Sequence, residues 1–121
     1  MSKKILVVDD EFYITRSLSF MLKKEGYESQ VAYDGQTALE QVRRDPPALI
    51  FLDMDMPVKD GVTVAREIRS DPDLKDITII MLTAKGQEVD KERGLAAGAN
   101  DYIMKPYDPV GILRKVKELL G

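Results

Sequence analysis

Five times along this sequence a short apolar run gives way to a longer amphipathic segment, and that alternation restricts the fold more than any other feature. The runs are Ile5–Val8, Ser29–Tyr33, Leu49–Leu52, Ile77–Leu82 and Tyr102–Met104. Unbroken stretches such as ILVV and LIFL suit strands covered on both faces. Between them the spacing turns helical: Ile14, Leu18, Met21 and Leu22 recur through Glu11–Glu25, and Gly26 ends the segment. An Asp34-Gly35 turn leads into a helix over Gln36–Arg44, which Pro46-Pro47 breaks. Further helices are expected over Val62–Arg69, over Glu88–Ala97 with Gly98 closing it, and over Pro109–Leu120. The last of these carries Ile112, Leu113, Val116, Leu119 and Leu120 on one face, and Asp71–Asp76 reads as a polar loop. Strand then helix, five times over, predicts an α/β domain with a five-stranded parallel sheet, doubly wound with helices on both faces. At 121 residues the chain reads as one domain, 1–121, with no effector domain attached.

In such a sheet ligands bind beyond the carboxyl ends of the strands, so the residues that follow each run matter most. Strand one ends in Asp9-Asp10, and strand three in Asp53 with Asp55 two residues on. Strand four ends in Thr83-Ala84 and strand five in Lys105-Pro106. One rim thereby receives four carboxylates, a hydroxyl and an ammonium. Two carboxylates about 4 Å apart repel by roughly 4 kcal/mol at an effective dielectric of about 20. Several together need protons or a metal ion to offset their charge.

Composition narrows the chemistry. The chain has no cysteine and no histidine, which removes thiolate and imidazole metal sites and any Ser-His-Asp triad. An all-oxygen donor set favours a hard ion, Mg2+ or Mn2+, over zinc. Magnesium usually shares its shell with water and a phosphate, and the lysine and hydroxyl would serve the same phosphate. A carboxylate can then act as nucleophile toward phosphorus. A net charge of −3 offers no broad basic field for nucleic acid. No segment has the length of a membrane span or a signal peptide, so a cytoplasmic location is expected.

The segments ILVVDD, LIFLDMDMPVKDG, IIMLTAK and YIMKP, in that order and spacing, resemble the receiver domain of two-component response regulators over essentially the whole chain. The resemblance implies the flavodoxin-like (CheY-like) strand order 2-1-3-4-5. It implies that Asp53 accepts a phosphoryl group from a histidine kinase or phosphotransfer protein. Asp10 and Asp53 would ligate Mg2+, with Asp9 acting through water and Asp55 through its backbone carbonyl. Thr83 and Lys105 would hold the phosphoryl oxygens, and Tyr102 would change rotamer when Thr83 is drawn toward them. Lys105-Pro106 would be a cis peptide. Output would pass through the face formed by the fourth helix, fifth strand and fifth helix to a downstream protein. The Asp55 side chain, where the family varies, is expected to alter phosphoryl lifetime.

Plainer roles exist for several of these residues. Asp9 and Asp10 also suit loop acids capping the first helix, and the charged segment Lys85–Arg93 suits a solvated face. Tyr13 and Phe20 fall opposite Leu18 on the first helix, off the core. They suit either scattered surface aromatics or a docking stripe for the phosphodonor. Two other families share features with this chain. The Asp53-Met54-Asp55 triplet is similar to the nucleophile motif of haloacid-dehalogenase-type phosphatases, which carry it after the N-terminal strand rather than the third. Flavodoxin-type flavin carriers share the fold, but no phosphate-cradling loop follows strand one here.

Overall fold

The computed structural model describes residues 3–56, 58–84, 88–105 and 107–120. The elements alternate as β1 (Lys4–Val8), α1 (Phe12–Lys24), β2 (Glu28–Ala32), α2 (Gly35–Arg44), β3 (Leu49–Asp53), α3 (Gly61–Ser70), β4 (Thr78–Ala84), α4 (Glu88–Ala96), β5 (Asp101–Lys105) and α5 (Pro109–Leu120). All pairings among these strands are parallel, in the order β2-β1-β3-β4-β5. The alternation read from the sequence and the order implied by the resemblance are both present.

The period-two alternation of side chains splits each central strand between two cores. Leu6, Val8, Ile50, Leu52, Ile79 and Met81 pack against α2 and α3. Ile5, Val7, Leu49, Phe51, Ile80 and Leu82 pack against α1 and α5. Strands covered on both faces can carry unbroken apolar runs, which is why ILVV and LIFL look as they do. The same parity sorts the polar residues at the strand ends. Asp9, Asp53 and Lys105 continue the α1/α5 series, whereas Thr83 and Tyr102 continue the other one.

Several boundaries differ from the sequence reading. Glu11 lies outside α1 as its N-cap, and its side chain makes no capping hydrogen bond. Gly35 is the first residue of α2, because Asp34 caps that helix by accepting from the Thr37 N–H at 2.8 Å. β4 runs on to Ala84, two residues past Leu82, because Thr83 and Ala84 still pair with Met104 and Lys105. On α5 the buried positions are Ile112 and Val116. Leu113 and Leu120 pack partly against them, but Leu119, at the edge of the stripe in the last turn, is 37% exposed.

Two tertiary features fix α3 against the sheet, one at each of its ends. Gly61 opens α3 directly against the Asp53 carbonyl, where an added Cβ would sit 2.3 Å from that oxygen, so any side chain would push α3 off the end of β3. At the other end of α3, Arg69 donates to the carbonyls of Gly98, Lys75 and Ile77 and to Asn100 Oδ1 at 2.6–2.8 Å. Asn100 Oδ1 also accepts from the Ile79 N–H at 2.8 Å. One guanidinium thereby joins α3, the turn before β4 and the turn after α4. Between β3 and α3, Val58 adopts φ 70°, a left-handed conformation that costs a β-branched residue on the order of 1–3 kcal/mol.

Candidate functional site

Register, more than loop geometry, assembles the rim. Val8 pairs with Leu52, so Asp9 emerges beside Asp53. Asp53 pairs with Leu82, which places Thr83 one step beyond it, and Lys105 closes the row opposite Ala84. Asp9, Asp10 and Asp53 each offer a carboxylate oxygen within 4.8 Å of the others. Asp9 and Asp53 are buried while Asp10 faces solvent. The Asp55 side chain is exposed and stands outside this group of three; its N–H donates to Asp53 Oδ1 at 3.3 Å.

Lys105 supplies the opposing charge. Its Nζ lies 2.6 Å from Asp9 Oδ2, 3.5 Å from Asp53 Oδ2 and 3.6 Å from Glu11 Oε1. The contact with Asp9 is a close ion pair rather than an aligned hydrogen bond, and Asp9 Oδ2 has no hydrogen-bond donor among the described residues. Asp9 Oδ1 accepts from the Glu11 N–H at 3.0 Å. This bond closes an Asx turn ahead of α1, but it does not cap the helix: the N-cap is Glu11, so the capping role considered for Asp9 and Asp10 is not the one seen.

The electrostatics follow from burying like charges together. Burial first, and the Asp9 carboxylate second, push the Asp53 acid up to about 7 from 3.8, against the lowering pull of Lys105 and the Asp55 N–H. For Lys105, burial alone would lower the ammonium's pKa. The carboxylates of Asp9, Asp53 and Glu11 outweigh that and raise it. The cluster is short of positive charge, and one lysine does not make up the deficit.

A divalent cation and a phosphoryl group fit what remains. The donors are all oxygens, three carboxylates converge, and a hard cation would offset the repulsion that raises Asp53. Thr83 is 1% exposed, yet its Oγ1 has no hydrogen-bond partner among the described residues. An orphaned buried hydroxyl costs about 1–3 kcal/mol, and a phosphoryl oxygen would satisfy it. Tyr102 lies on the same face as Thr83, half-buried against the α2/α3 core, with Lys91 Nζ 4.8 Å from its ring centre. Tyr13 and Phe20 are 68% and 66% exposed, as their helical position implied.

The sequence reading missed Glu11, which it placed in the first helix. The signal was an acid directly after the Asp pair, but only the structure brings Lys105 to it. The Lys105-Pro106 peptide and residues 85–87 of the charged segment lie outside the described residues.

Residues 5–117 match the family model of the response regulator receiver domain. Three solved structures illustrate the likeness. A candidate response regulator from Chloroflexus aurantiacus J-10-fl is 36% identical, with a TM-score of 0.95, 99% of this chain covered and 98% of that one. The receiver domain of a signal transduction histidine kinase from Syntrophus aciditrophicus is 34% identical, with a TM-score of 0.91 and coverage of 98% and 90%. The chemotaxis response regulator CheY4 of Vibrio cholerae is 31% identical, with a TM-score of 0.92 and coverage of 98% and 99%. The family is one of signalling phosphoacceptors that partner histidine kinases or phosphotransfer proteins and bind Mg2+ in an acidic pocket, and the phosphatase alternative is not favoured. By sequence, strand order and the residues at its strand ends, the chain belongs to the response regulator receiver domain family.

Proposed function

We propose that this chain accepts a phosphoryl group onto Asp53 from the phosphohistidine of a histidine kinase or phosphotransfer protein, in a Mg2+-dependent reaction, and signals by a conformational switch. The observation that carries this reading is the buried Asp53 carboxylate, flanked by Asp9, Asp10 and Lys105 and lying one register step from an unpartnered Thr83 hydroxyl.

The carboxylates of Asp10 and Asp53 would hold the cation, with Asp9 acting through water and Asp55 through its backbone carbonyl. Bound Mg2+, or Mn2+ in its place, would offset charge on the phosphoryl oxygens. An Asp53 oxygen attacks phosphorus, the P–N bond to the donor imidazole breaks, and the electron pair leaves on that nitrogen. Lys105 stabilises the equatorial oxygens and Thr83 donates its hydroxyl to one of them. In-line positioning supplies most of the catalysis. Hydrolysis of the acyl phosphate resets the domain, and the exposed Asp55 carboxylate beside the site modulates its lifetime. The domain takes up one group per cycle and assists only its own phosphorylation and dephosphorylation, so it is not an enzyme acting on other substrates.

Phosphorylation brings up to two negative charges to a site already crowded with them. Thr83 moving toward the new oxygens frees space on the face it shares with Tyr102. Inward rotation of Tyr102 then biases the surface of α4, β5 and α5. Exposed Val89, Leu95, Met104 and Val110 on these elements favour a protein target. Among the described residues no helix is long and apolar enough to cross a membrane. With a net charge of −3, the reading excludes nucleic acid and membrane as partners and keeps the protein cytoplasmic.

Intact mass after incubation with acetyl phosphate and Mg2+ tests the proposal. Wild type should gain one phosphoryl mass and Asp53→Asn none. Phosphorylation of Asp53→Asn to the wild-type extent would disprove the assignment, and catalytic turnover of phosphate monoesters would favour a phosphatase.

A further inference from the structure

Glu11 has no part in the roles assigned above, yet both of its carboxylate oxygens are engaged at the site. Oε2 accepts from the Tyr13 hydroxyl at 2.8 Å, and Oε1 lies 3.6 Å from Lys105 Nζ. The residue's N–H donates to Asp9 Oδ1. Tyr13 and Lys105 line one cleft of about 280 Å3 with Ile14, Ser17 and Tyr107, so the tyrosine, the acid and the ammonium form a continuous chain at the rim. The ammonium sits closer to Asp9, at 2.6 Å, than to Asp53, at 3.5 Å. Its charge is shared among three carboxylates, of which Glu11 stands outside the convergent group of Asp9, Asp10 and Asp53.

We propose that Glu11, held by Tyr13, is a positioning residue that keeps the Lys105 ammonium turned toward the rim until a phosphoryl group on Asp53 replaces Glu11 as its partner, and so limits the rate of phosphoryl uptake. The inference rests on Asp53 being the acceptor. Asp9 grips Lys105 more closely, but it belongs to the cation site and cannot be removed without damaging that site. Glu11 can be removed, because its side chain is 43% exposed and its loss leaves the three convergent carboxylates intact. Tyr13 acts without charge of its own: its hydroxyl fixes the carboxylate, which reduces the freedom Glu11 has to let go.

Generic charge removal would also speed reaction with an anionic donor, so the test must separate the two causes. Tyr13→Phe separates them, because it frees the Glu11 carboxylate without changing any charge. Phosphorylation by acetyl phosphate with saturating Mg2+ should be followed by intact mass for wild type, Glu11→Ala and Tyr13→Phe at one fixed ionic strength. Glu11→Ala is expected to react ~2–5-fold faster, the rate equivalent of releasing an exposed ion pair. Tyr13→Phe is expected to react faster by a smaller factor. A Glu11→Ala rate equal to wild type, or a gain in Glu11→Ala accompanied by a wild-type rate for Tyr13→Phe, would each overturn the inference while leaving Asp53 as acceptor. Failure of wild type itself to be phosphorylated would overturn the functional reading instead, and this inference with it.

Discussion

Replacing Lys105 with methionine is expected to slow Mg2+-dependent phosphorylation of Asp53 by about 10²–10³-fold, the usual loss when one preorganised charge-stabilising donor is removed from a reaction centre. Methionine keeps most of the length and volume of the side chain, so the loss would report the ammonium. That ammonium is the group shared by Asp9, Asp53 and Glu11. The metal-free variant should also be less stable than wild type at neutral pH. Asp9 is fully buried, and breaking one side of a buried ion pair typically costs about 3–5 kcal/mol. Added Mg2+ should recover part of that stability and little of the rate. Single-turnover phosphorylation and thermal melts with and without Mg2+ measure both. A rate within a few-fold of wild type would mean that Lys105 does not meet the transferring group.

The second large effect concerns pH. In the metal-free protein the Asp53 acid stands at about 7, against an ordinary 3.8. The folded protein therefore holds this proton more tightly than the unfolded chain does. For a group shifted upward, the stabilising contribution is complete below the unfolded pKa and is lost as pH rises through the folded one. Metal-free wild type should thus lose stability between about pH 4 and pH 7. A rise from 3.8 to about 7 is equivalent to about 4 kcal/mol, so the loss should reach up to that size and lower Tm by at least roughly 5 °C. Asp53→Asn carries no ionisable group there and should melt higher than wild type at pH 8 while matching it near pH 4. Saturating Mg2+ should raise wild type at pH 8 far more than the variant. Parallel pH profiles for the two proteins would remove Asp53 as the source of the dependence.

The acidic rim was legible in the sequence because Asp9, Asp53, Thr83 and Lys105 each follow an apolar run, and in a doubly wound sheet the carboxyl ends of those runs share one rim. The strand order came from the family resemblance, and the register that sets these residues side by side came from the fold. The readings that fell short depended on partners distant in the chain. β4 extends through Thr83 because β5 pairs with it, and no local pattern in Ile77–Leu82 signals that. Arg69 looks like one more charge on an amphipathic helix. Its acceptors are three backbone carbonyls and an asparagine between residues 75 and 100, which only the tertiary fold brings to it. Glu11 likewise reads as a first-turn helical acid until Lys105 arrives from the far end of the chain. Leu119 belongs to the helical stripe by periodicity, but the last turn of α5 leaves it partly exposed.

The central claim is that the Asp9, Asp10 and Asp53 carboxylates, brought together from two neighbouring strand ends, act as one divalent-cation site. The chain has no tryptophan, so backbone amide shifts followed by NMR during a Mg2+ titration give the most direct measurement. The expected result is saturable one-to-one binding, with the largest shifts at Asp9, Asp10, Asp53 and Asp55 and a strong loss of affinity in Asp10→Asn. Shifts that never saturate, or an affinity unchanged by Asp10→Asn, would contradict it.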